Sequence, residues 1–255
     1  MFDFLMSRKE RALQSKRDWD LGCYIAFGKK QVYEDNKSWP EWRMNINYDD
    51  STKEYSKVAD KMIWRLGVLK EDSQKMVTLL SEGAVKFFNF HPNKSDGTWV
   101  ISPLRDWLCS DNGFMACFTQ EEKAKLLGYS SSWNWENPPS EGDKAFILNG
   151  GGSWSHDWSG DASREQQLND FVRSYNTDTD DNFLDKRCMN CCYWTRTIEP
   201  NSPWMVWSVE RDGKYYENNI GDDTKFGIRP AIKIDTTQFR ILSGEGTFKK
   251  PYIIA

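Results

Sequence analysis

The residues best suited to recognition chemistry are concentrated between Glu199 and Lys225. This stretch combines aromatic rings with amides, carboxylates and one guanidinium, a mixture typical of binding loops. The rings bring a large contact area with few rotatable bonds, and the amides adapt their hydrogen bonds to different partners. The candidate ligand-binding residues here are Asn201, Trp204, Arg211, Tyr215, Tyr216, Asn218, Asn219 and Asp222. The alternative interpretation is an ordinary polar hairpin. Because Trp204 and Trp207 are three residues apart, they fall on opposite faces of a strand, and at least one of them is expected in the core.

A glycine-rich run, Gly150–Ser159, is a second candidate for ligand binding. Glycine lets the backbone approach a ligand closely, and Trp154 and Trp158 would present rings beside His156. No Gly-Lys-Ser/Thr follows, and no strand-to-helix pattern frames the run, so it is not a phosphate-binding loop. The alternative is a loop that is simply flexible.

Metal binding and catalysis have weaker signals. The oxygen-rich run Asp178–Asn182 would suit calcium, but an exposed acidic loop is the ordinary interpretation. Four thiolates for zinc would have to come from a group with only one C-x2-C spacing, so free thiols and no metal are expected. The group comprises Cys188, Cys191 and Cys192 with Cys109 or Cys117.

His156 is the histidine placed best for a catalytic role, with Ser153, Ser155 and Asp157 beside it. Neighbours in sequence do not make a catalytic triad, which the fold assembles from separated residues. We therefore expect no catalytic residue, no cofactor and no enzyme.

Composition and charge exclude several classes of protein. The net charge is −4 with basic and acidic residues interspersed, so there is no basic footprint for nucleic acid. Apolar runs such as Ile228–Ile234 are far shorter than the roughly 20 residues that span a bilayer. Aromatic residues make up 15% of the chain and include 13 Trp, so the expected core is built largely from rings.

The chain has no linker-like composition and is expected to form one domain over residues 21–255. Residues 1–20 have helical spacing of apolar residues among basic ones and predict an amphipathic helix. This helix would dock on a larger particle, join copies of the chain, or pack on its own domain. Charged residues follow its short apolar run, so no secretory signal is expected.

Local signals predict strands, then two short helices, then strands again. Ser102 with Pro103 is a favourable start for one helix, and Thr119 with Glu122 forms a capping box that opens a second helix ending at Gly128. This order favours an α+β fold with an antiparallel sheet. The predicted strands are Tyr24–Gly28, Met62–Leu69, Met76–Leu80, Ala145–Leu148, Cys192–Thr197, Trp204–Glu210, Phe226–Ile234 and Pro251–Ile254.

Seven stretches of the chain also form one pattern when they are taken in order. They are Ile25–Gly28, Ile63–Leu66, Thr98–Leu108, Ala116–Lys123, Asp143–Leu148, Tyr193–Thr197 and Phe226–Ile232. Together they resemble the DUF6273 domains of bacteria and phages, which look like relatives of the C-type-lectin and formylglycine-generating-enzyme fold. Cys109 stands where that pattern has Asn, and one residue is inserted after Ala116.

The resemblance implies a C-type-lectin-like fold, with two short helices packed on twisted antiparallel sheets with long loops. In such a fold Ile25–Gly28 should lie in or beside the sheet that contains Ile228–Ile234. Trp99, Leu104, Trp107 and Leu108 should be core, and Arg229 should be buried against a carboxylate or carbonyls.

Fold does not imply function, because lectin-like folds host sugar binding, protein binding and one oxidase. Related proteins are displayed on phage tails and bacterial surfaces, some as targets of diversity-generating retroelements. We therefore expect a binding module for a protein or cell-surface glycan, displayed on a virion or cell, and cytoplasmic if it is not displayed. An oxidase that uses the cysteine cluster is one alternative. A calcium-dependent lectin is the other, because the triplet Glu199–Asn201 resembles the Glu-Pro-Asn triplet of sugar-binding lectins.

Overall fold

Strands and short helices make up most of the part of the chain that the computed structural model describes. That part is residues 23–29, 61–67, 75–82, 84–91, 96–133, 137–150, 193–199, 201–209, 215–221, 226–247 and 250–255. Its strands are β1 (Tyr24–Lys29), β2 (Lys61–Gly67), β3 (Met76–Ser81), β4 (Lys86–Phe88), β5 (Leu126–Leu127), β6 (Ala145–Phe146), β7 (Tyr193–Glu199), β8 (Ser202–Val209), β9 (Tyr215–Asn219), β10 (Phe226–Ile228), β11 (Ala231–Asp235), β12 (Ile241–Ser243) and β13 (Tyr252–Ile254). Its helices are α1 (Pro103–Cys109) and α2 (Gln120–Lys125).

The first sheet has the strand order β12-β13-β1-β2-β3-β11-β5, and β6 also pairs with β11. β2 and β3 form an antiparallel pair, with Trp64 opposite Ser81 and Leu66 opposite Leu79. The sequence predicts this hairpin, because the polar run Glu71–Gln74 connects the two apolar runs. Strands β1 and β11 both belong to this sheet. This confirms the expectation that Ile25–Gly28 lies in the sheet that contains most of Ile228–Ile234. Val68 and Leu69, the predicted end of the second strand, lie outside the described residues.

The second sheet has the order β4-β10-β7-β8-β9. Most pairs in both sheets are antiparallel, but β1 pairs with β13 in parallel and β10 pairs with β7 in parallel. The sheets are thus mainly antiparallel, as expected, and the sequence did not predict the one parallel pair in each. Both parallel pairs join strands that are far apart in sequence, and only a long connection can bring two strands together in the same direction.

The run Phe226–Ile234 was predicted as one strand, and that prediction is wrong. The run is split at Arg229 and Pro230, so that β10 belongs to the second sheet and β11 to the first. Pro230 has no N–H to donate to a ladder, although its carbonyl accepts a 2.8 Å bond from the amide of Ser81. This break joins the two sheets through a single continuous segment.

Arg229 is buried at the break, with 4% of its surface exposed. Its Nε and Nη2 donate to the carbonyl of Ser81 at 3.2 and 3.0 Å, and its guanidinium lies 4.8 Å from the centre of the Tyr193 ring. These contacts confirm the expectation that Arg229 is buried against a carbonyl. A buried Arg needs such contacts because its donors must be paired.

Both helices start where the local signals place them. The Ser102 hydroxyl accepts from the amide of Arg105 at 3.1 Å, with Pro103 in the first turn. In the capping box of α2, the Thr119 hydroxyl accepts from the amide of Glu122 at 3.2 Å, and the Glu122 carboxylate accepts from the amide of Thr119 at 2.8 Å. These contacts satisfy amides that have no partner within the helix.

The second helix ends earlier than predicted, at Lys125 instead of Gly128. Leu126 and Leu127 form β5 and pair with Ile234 and Lys233 of β11. Pairing with a distant strand therefore overrides the local helical signal of this segment.

Helix α1 is fixed to the segment before β6 by a two-pronged ion pair. Arg105 donates from Nε and Nη2 to the two carboxylate oxygens of Asp143, at 3.0 and 2.8 Å. The thiol of Cys109 donates to the carbonyl of Ala145 at 3.5 Å. These contacts hold the helix against the edge of the first sheet.

Side chains from both sheets and from α1 form one continuous core, and its largest members are aromatic. The indoles of Trp64 and Trp194 donate to the carbonyls of Phe27 and Phe88, both at 2.8 Å. Each ring thus buries its apolar body without leaving its N–H unpaired.

The expected core residues of the α1 region are mostly confirmed: Trp99, Leu104 and Leu108 are fully buried. Trp107 is only half-buried, so its placement in the core is wrong. Its ring stacks on Phe88 with 6.1 Å between centroids, and the ammonium of Lys86 lies 5.3 Å from its centre. The flexible side chain of Lys86 therefore covers part of the Trp107 ring that the core does not enclose.

Candidate ligand-binding surface

Strands β8 and β9 form the antiparallel pair that carries most of the described candidate residues. The register places Met205 opposite Asn219 and Trp207 opposite Glu217, and Val209 opposite Tyr215. The sequence of β8, Ser-Pro-Trp-Met-Val-Trp-Ser-Val, is rich in β-branched and aromatic residues and favours an extended strand.

Two of the candidates, Trp204 and Tyr216, present large rings to solvent. Trp204 is 46% exposed and Tyr216 is 45% exposed. On β8 itself, Val206, Ser208 and Val209 are fully buried. The strand therefore has a buried part that anchors it in the core and an exposed ring at its N-terminal end.

The anchoring of β8 depends on a close backbone contact with Gly97. The amide of Gly97 donates to the carbonyl of Pro203 at 2.6 Å. A Cβ on residue 97 would lie 2.8 Å from Cγ2 of Val206 and 3.1 Å from the carbonyl oxygen of Pro203, so a larger residue would force these atoms of β8 to move. The same segment continues into Val100 and Ile101, whose apolar side chains are also exposed.

The amides of β9 are used in two different ways. Nδ2 of Asn218 donates to the Ser208 hydroxyl at 2.8 Å, so this amide helps to hold β9 to β8. Asn219 is exposed, and its Oδ1 accepts from the amide of Gly221 at 2.8 Å. Asn219 keeps its Nδ2 donors on the exposed side, whereas Asn218 has a structural role.

Tyr215 is half-buried and packs against the core, unlike its neighbour Tyr216. It lies against the backbone of Gly150, where an added Cβ would be 2.6 Å from Cε1 of the Tyr215 ring. The two candidate regions therefore meet at this point, because Gly150 begins the glycine-rich run.

Gly150 is held in place by two threonines of β7. Its amide donates to the Thr197 hydroxyl at 2.8 Å, and its carbonyl lies 3.0 Å from the Thr195 hydroxyl. The Thr195 hydroxyl also lies 2.7 Å from the carbonyl of Trp207, which links the same point to β8. The start of the glycine-rich run is thus fixed relative to the β8–β9 pair.

A buried polar cluster lies between these threonines, where the register of β7 against β8 shifts. Arg196 is fully buried and donates from Nε to the carbonyl of Ile147 at 2.8 Å and from Nη1 to the carbonyl of Asn137 at 3.0 Å. Nδ2 of Asn137 donates in turn to the carbonyls of Arg196 and Gly97, at 2.6 and 3.1 Å. Through its bond to Gly97, the cluster supports the segment against which β8 packs.

Asn137 and Arg196 have no place in the sequence-based list of site residues. The available signal for Arg196 was a charged residue inside an apolar strand pattern. Asn137 adopts φ 41°, a left-handed conformation in which Asn is enriched, but its neighbours in sequence do not reveal it.

Asn201 lies in the turn between β7 and β8 and is exposed. It belongs to the Glu199–Asn201 triplet, and Glu199 pairs with Ser202 at the end of the hairpin. Within the residues that the structure describes, no three His, Cys, Asp or Glu side chains come together as a metal site.

Other candidates fall outside the described residues. These are Trp154, His156, Trp158, Arg211 and Asp222, together with the oxygen-rich run 178–182, the cysteines 188, 191 and 192, and the N-terminal segment 1–20. Cys23, Cys109 and Cys117 are free thiols, as expected for them. In the described part of the chain, no helix is long and apolar enough to cross a membrane.

Burial and the nearby Asp143 carboxylate raise the pKa of the Cys109 thiol to about 12. Burial penalises the thiolate, and the negative charge of Asp143 adds to this effect. Cys109 therefore remains a neutral thiol at physiological pH, which suits a packing residue and does not suit a nucleophile or a metal ligand.

Comparison with known proteins gives one result. The model of a protein family described as "Domain of unknown function (DUF6273)" matches residues 74–236, which is more than half of the chain. The chain matches no curated protein and no solved structure. The matched region includes α1, α2 and the β8–β9 pair.

Proposed function

Since the chain belongs to the DUF6273 family, whose description assigns no activity, we propose a function from the geometry of its surface. It is a non-enzymatic binding module that recognises a protein or a surface glycan through the exposed side chains of β8 and β9. The observation that carries this proposal is the exposure of Trp204 and Tyr216 on a pair of strands that Val206, Ser208 and Val209 anchor in the core.

Rigid support is the first argument for a binding role. A large aromatic ring loses little conformational entropy on binding, and it loses least when the backbone beneath it is already fixed. Val206 is held against Gly97, and Asn218 is hydrogen-bonded to Ser208. Trp204 and Tyr216 are therefore carried by strands that need no rearrangement to meet a partner.

Surface chemistry is the second argument. Large exposed apolar side chains are enriched at the centres of interfaces, where Trp and Tyr contribute most to affinity. Asn219 adds an exposed amide, and Glu217 adds one exposed carboxylate. This combination of rings with few polar groups fits a specific interface better than it fits a solvated surface.

The lectin-like fold and the place of display also belong to the proposal. The pairing of β1 with β13 brings the first and the last of the described strands together, which supports the proposal of a lectin-like fold. Display on a virion or cell surface, as a host-attachment protein or a diversified variable protein, rests on the resemblance of the sequence to phage and bacterial domains. Neighbouring tail genes, or a reverse transcriptase with a near-repeat of the coding region for Tyr193–Ile232, would support display, and their absence would count against it.

Binding by the full chain to an array of bacterial surface glycans and to a displayed library of random peptides tests the proposed function. Trp204→Ala and Tyr216→Ala should each weaken the binding that is found by roughly 1 to 3 kcal/mol, because interface anchors of these types contribute that much. The melting temperature should change little, since both rings are half exposed in the free protein.

Leu242→Ala is the matched control, because Leu242 is 57% exposed on β12 of the other sheet. This variant should bind like the original chain. Tyr215→Ala should instead lower the melting temperature, because Tyr215 packs against the core and against Gly150. If Trp204→Ala and Tyr216→Ala bind as well as Leu242→Ala does, the binding surface lies elsewhere.

A further inference from the structure

Among the strands that the structure describes, β9 is the last strand of the second sheet and pairs only with β8. The last strand of a sheet has one row of peptide groups directed at its neighbour and another directed outward. The outward row can accept an added strand, and most proteins protect such edges with charges, prolines or bulges.

The hydrogen-bond pattern determines which residues face outward. The amide of Ile220 donates to the carbonyl of Trp204 at 3.1 Å, and the register continues with Asn218 opposite Val206 and Tyr216 opposite Ser208. In an antiparallel pair, every second residue directs both its N–H and its C=O at the partner strand. Tyr216 and Asn218 therefore bond to β8, and the peptide groups of Glu217 and Asn219 lie on the outer edge.

This edge carries little protection. Strand β9, Tyr-Tyr-Glu-Asn-Asn, contains no Pro and no Lys, and the single charge on β8 and β9 together is that of Glu217. The Glu217 side chain is exposed and makes no ion pair with the residues that the structure describes. One carboxylate thus lies at the middle of an otherwise uncharged edge strand.

We propose that the outer edge of β9 binds an extended segment of another protein as an added antiparallel strand, with a Lys or Arg of that segment directly opposite Glu217. This inference rests on the proposed binding function and specifies its partner. The added backbone bonds to the outward peptide groups of Glu217 and Asn219, which supplies affinity without regard to sequence. The basic side chain pairs with the Glu217 carboxylate and sets the register.

A second copy of this chain is a poor occupant of the same edge. Two β9 strands that pair antiparallel over their full length place Glu217 opposite Glu217, and like charges directly opposite each other are destabilising. A register shifted by two residues separates the carboxylates but pairs only part of this five-residue strand. The net charge of −4 also favours the approach of a basic segment over that of another copy.

The test begins with selection of a displayed library of random nine-residue peptides on the full chain. Peptides enriched by the original chain should share a Lys or Arg at one aligned position, and Glu217→Lys should enrich Asp or Glu at that position. A Lys-containing peptide from the first selection should bind Glu217→Lys roughly 2- to 30-fold more weakly, because a cross-strand attraction becomes a repulsion.

Glu121→Lys is the matched control for this exchange of charge. Glu121 is exposed on α2, so the variant changes the net charge of the chain equally, at a site away from β9. It should bind the Lys-containing peptide with the affinity of the original chain. Strand addition is overturned if Glu121→Lys and Glu217→Lys weaken peptide binding equally. It is also overturned if the charge preferred in the enriched peptides does not reverse between the original chain and Glu217→Lys.

Amide hydrogen exchange of the full chain provides the second measurement. In the free protein, the amides of Glu217 and Asn219 should exchange faster than those of Tyr216 and Asn218. Saturating peptide should slow Glu217 and Asn219 by at least about tenfold, because the added strand occupies their N–H groups. Slow exchange at Glu217 and Asn219 before any peptide is added means that another segment of this chain occupies the edge, and the proposal is then wrong.

These results separate the inference from the proposed function. If Trp204→Ala and Tyr216→Ala abolish binding while the charge reversal and the amide protection are absent, the surface binds its partner without an added strand. If the library yields no enriched peptide but the glycan array yields binding that depends on Trp204, strand addition is again overturned and the proposed function stands.

Discussion

At the scale of single residues, burial decides what each polar or reactive side chain does. Cys109 and Asp143 are close neighbours, yet both carboxylate oxygens accept from Arg105 and the thiol is kept neutral by burial. The bidentate pair raises the pKa of the Arg105 guanidinium, since its hydrogen bonds to Asp143 favour the charged form. Both groups therefore serve packing and docking of the first helix.

The first prediction concerns the reactivity of Cys109. A pKa of about 12, against 9.0 for the ordinary thiol, lowers the thiolate fraction at pH 8 by about a thousandfold, and the alkylation rate should fall accordingly. Iodoacetamide labelling followed by mass spectrometry measures this rate. The same chain unfolded in urea is the control, and labelling of native Cys109 at the unfolded rate would contradict the prediction.

The same pKa has a consequence for stability. Because the folded thiol has the higher pKa, the unfolded chain loses its proton first as the pH rises above about 9. The contribution of Cys109 to the free energy of unfolding is therefore present at neutral pH and is lost between about pH 9 and pH 12. Replacement by Ser or Ala should flatten this part of the stability curve.

At the scale of elements, the register shift in β7 is the feature on which the candidate surface depends. Nδ2 of Asn137 donates to the carbonyl of Arg196 within the shifted part of β7 and to the carbonyl of Gly97, and its Oδ1 accepts from the amide of Trp99. Gly97 in turn supports β8 through Pro203. One amide side chain therefore connects three segments that are far apart in sequence.

The second prediction concerns Asn137. Asn137→Ala should lower the free energy of unfolding by about 3 kcal/mol, since it removes three hydrogen bonds and forces Ala into a left-handed conformation. Asn137→Gly removes the same bonds without the conformational strain, so it should destabilise the protein by about 1 kcal/mol less. Urea titrations measure both values, and equal losses would show that φ at this position is unstrained.

Local signals predicted the elements that local physics determines. Both helix starts follow from capping side chains within three residues, and the β2–β3 pair follows from two apolar runs with a polar connection. The end of α2 was missed because Leu126 pairs with Ile234, which is distant in sequence. The division of Phe226–Ile234 was missed because the join between two sheets at Pro230 is a tertiary feature.

The candidate surface was predicted only in part, because tertiary packing decides which of its side chains are exposed. Composition located a stretch rich in Trp, Tyr and Asn, but it did not separate Tyr216 from Tyr215, because only packing against Gly150 buries the second ring. Asn218 was named as a binding residue, yet its amide holds the hairpin together. The chemistry of a side chain is visible in the sequence, whereas the face it occupies depends on distant neighbours.

At the scale of the whole molecule, the two sheets share one core. Trp64 and Leu66 of the first sheet belong to the same cluster as Trp194 and Val206 of the second. The chain also passes directly from β10 to β11 through the buried Arg229. Neither sheet can lose its packing without exposing the apolar surface of the other.

The third prediction follows from this shared core. Thermal and urea unfolding should show one transition in which both sheets unfold together. Fluorotryptophan labelling measures this, because the ¹⁹F signals of Trp64 and Trp194 report on the two sheets separately. Their midpoints should coincide in urea, and two distinct midpoints would mean that the sheets unfold as independent units.

The parallel pairing of β1 with β13 has a consequence for folding during synthesis. Ile25 pairs with Tyr252, so the outer edge of β1 has to wait until the long segment between these two residues is translated. At ribosomal rates this takes roughly 10 to 50 s, and contacts between such distant segments also form slowly once the chain is complete. Throughout that interval Ile25 and Ala26 lie on an unpaired apolar edge, which is a template for pairing with other nascent chains. Slower translation of the segment that follows β12 would therefore increase aggregation, whereas a chaperone that covers β1 would suppress it.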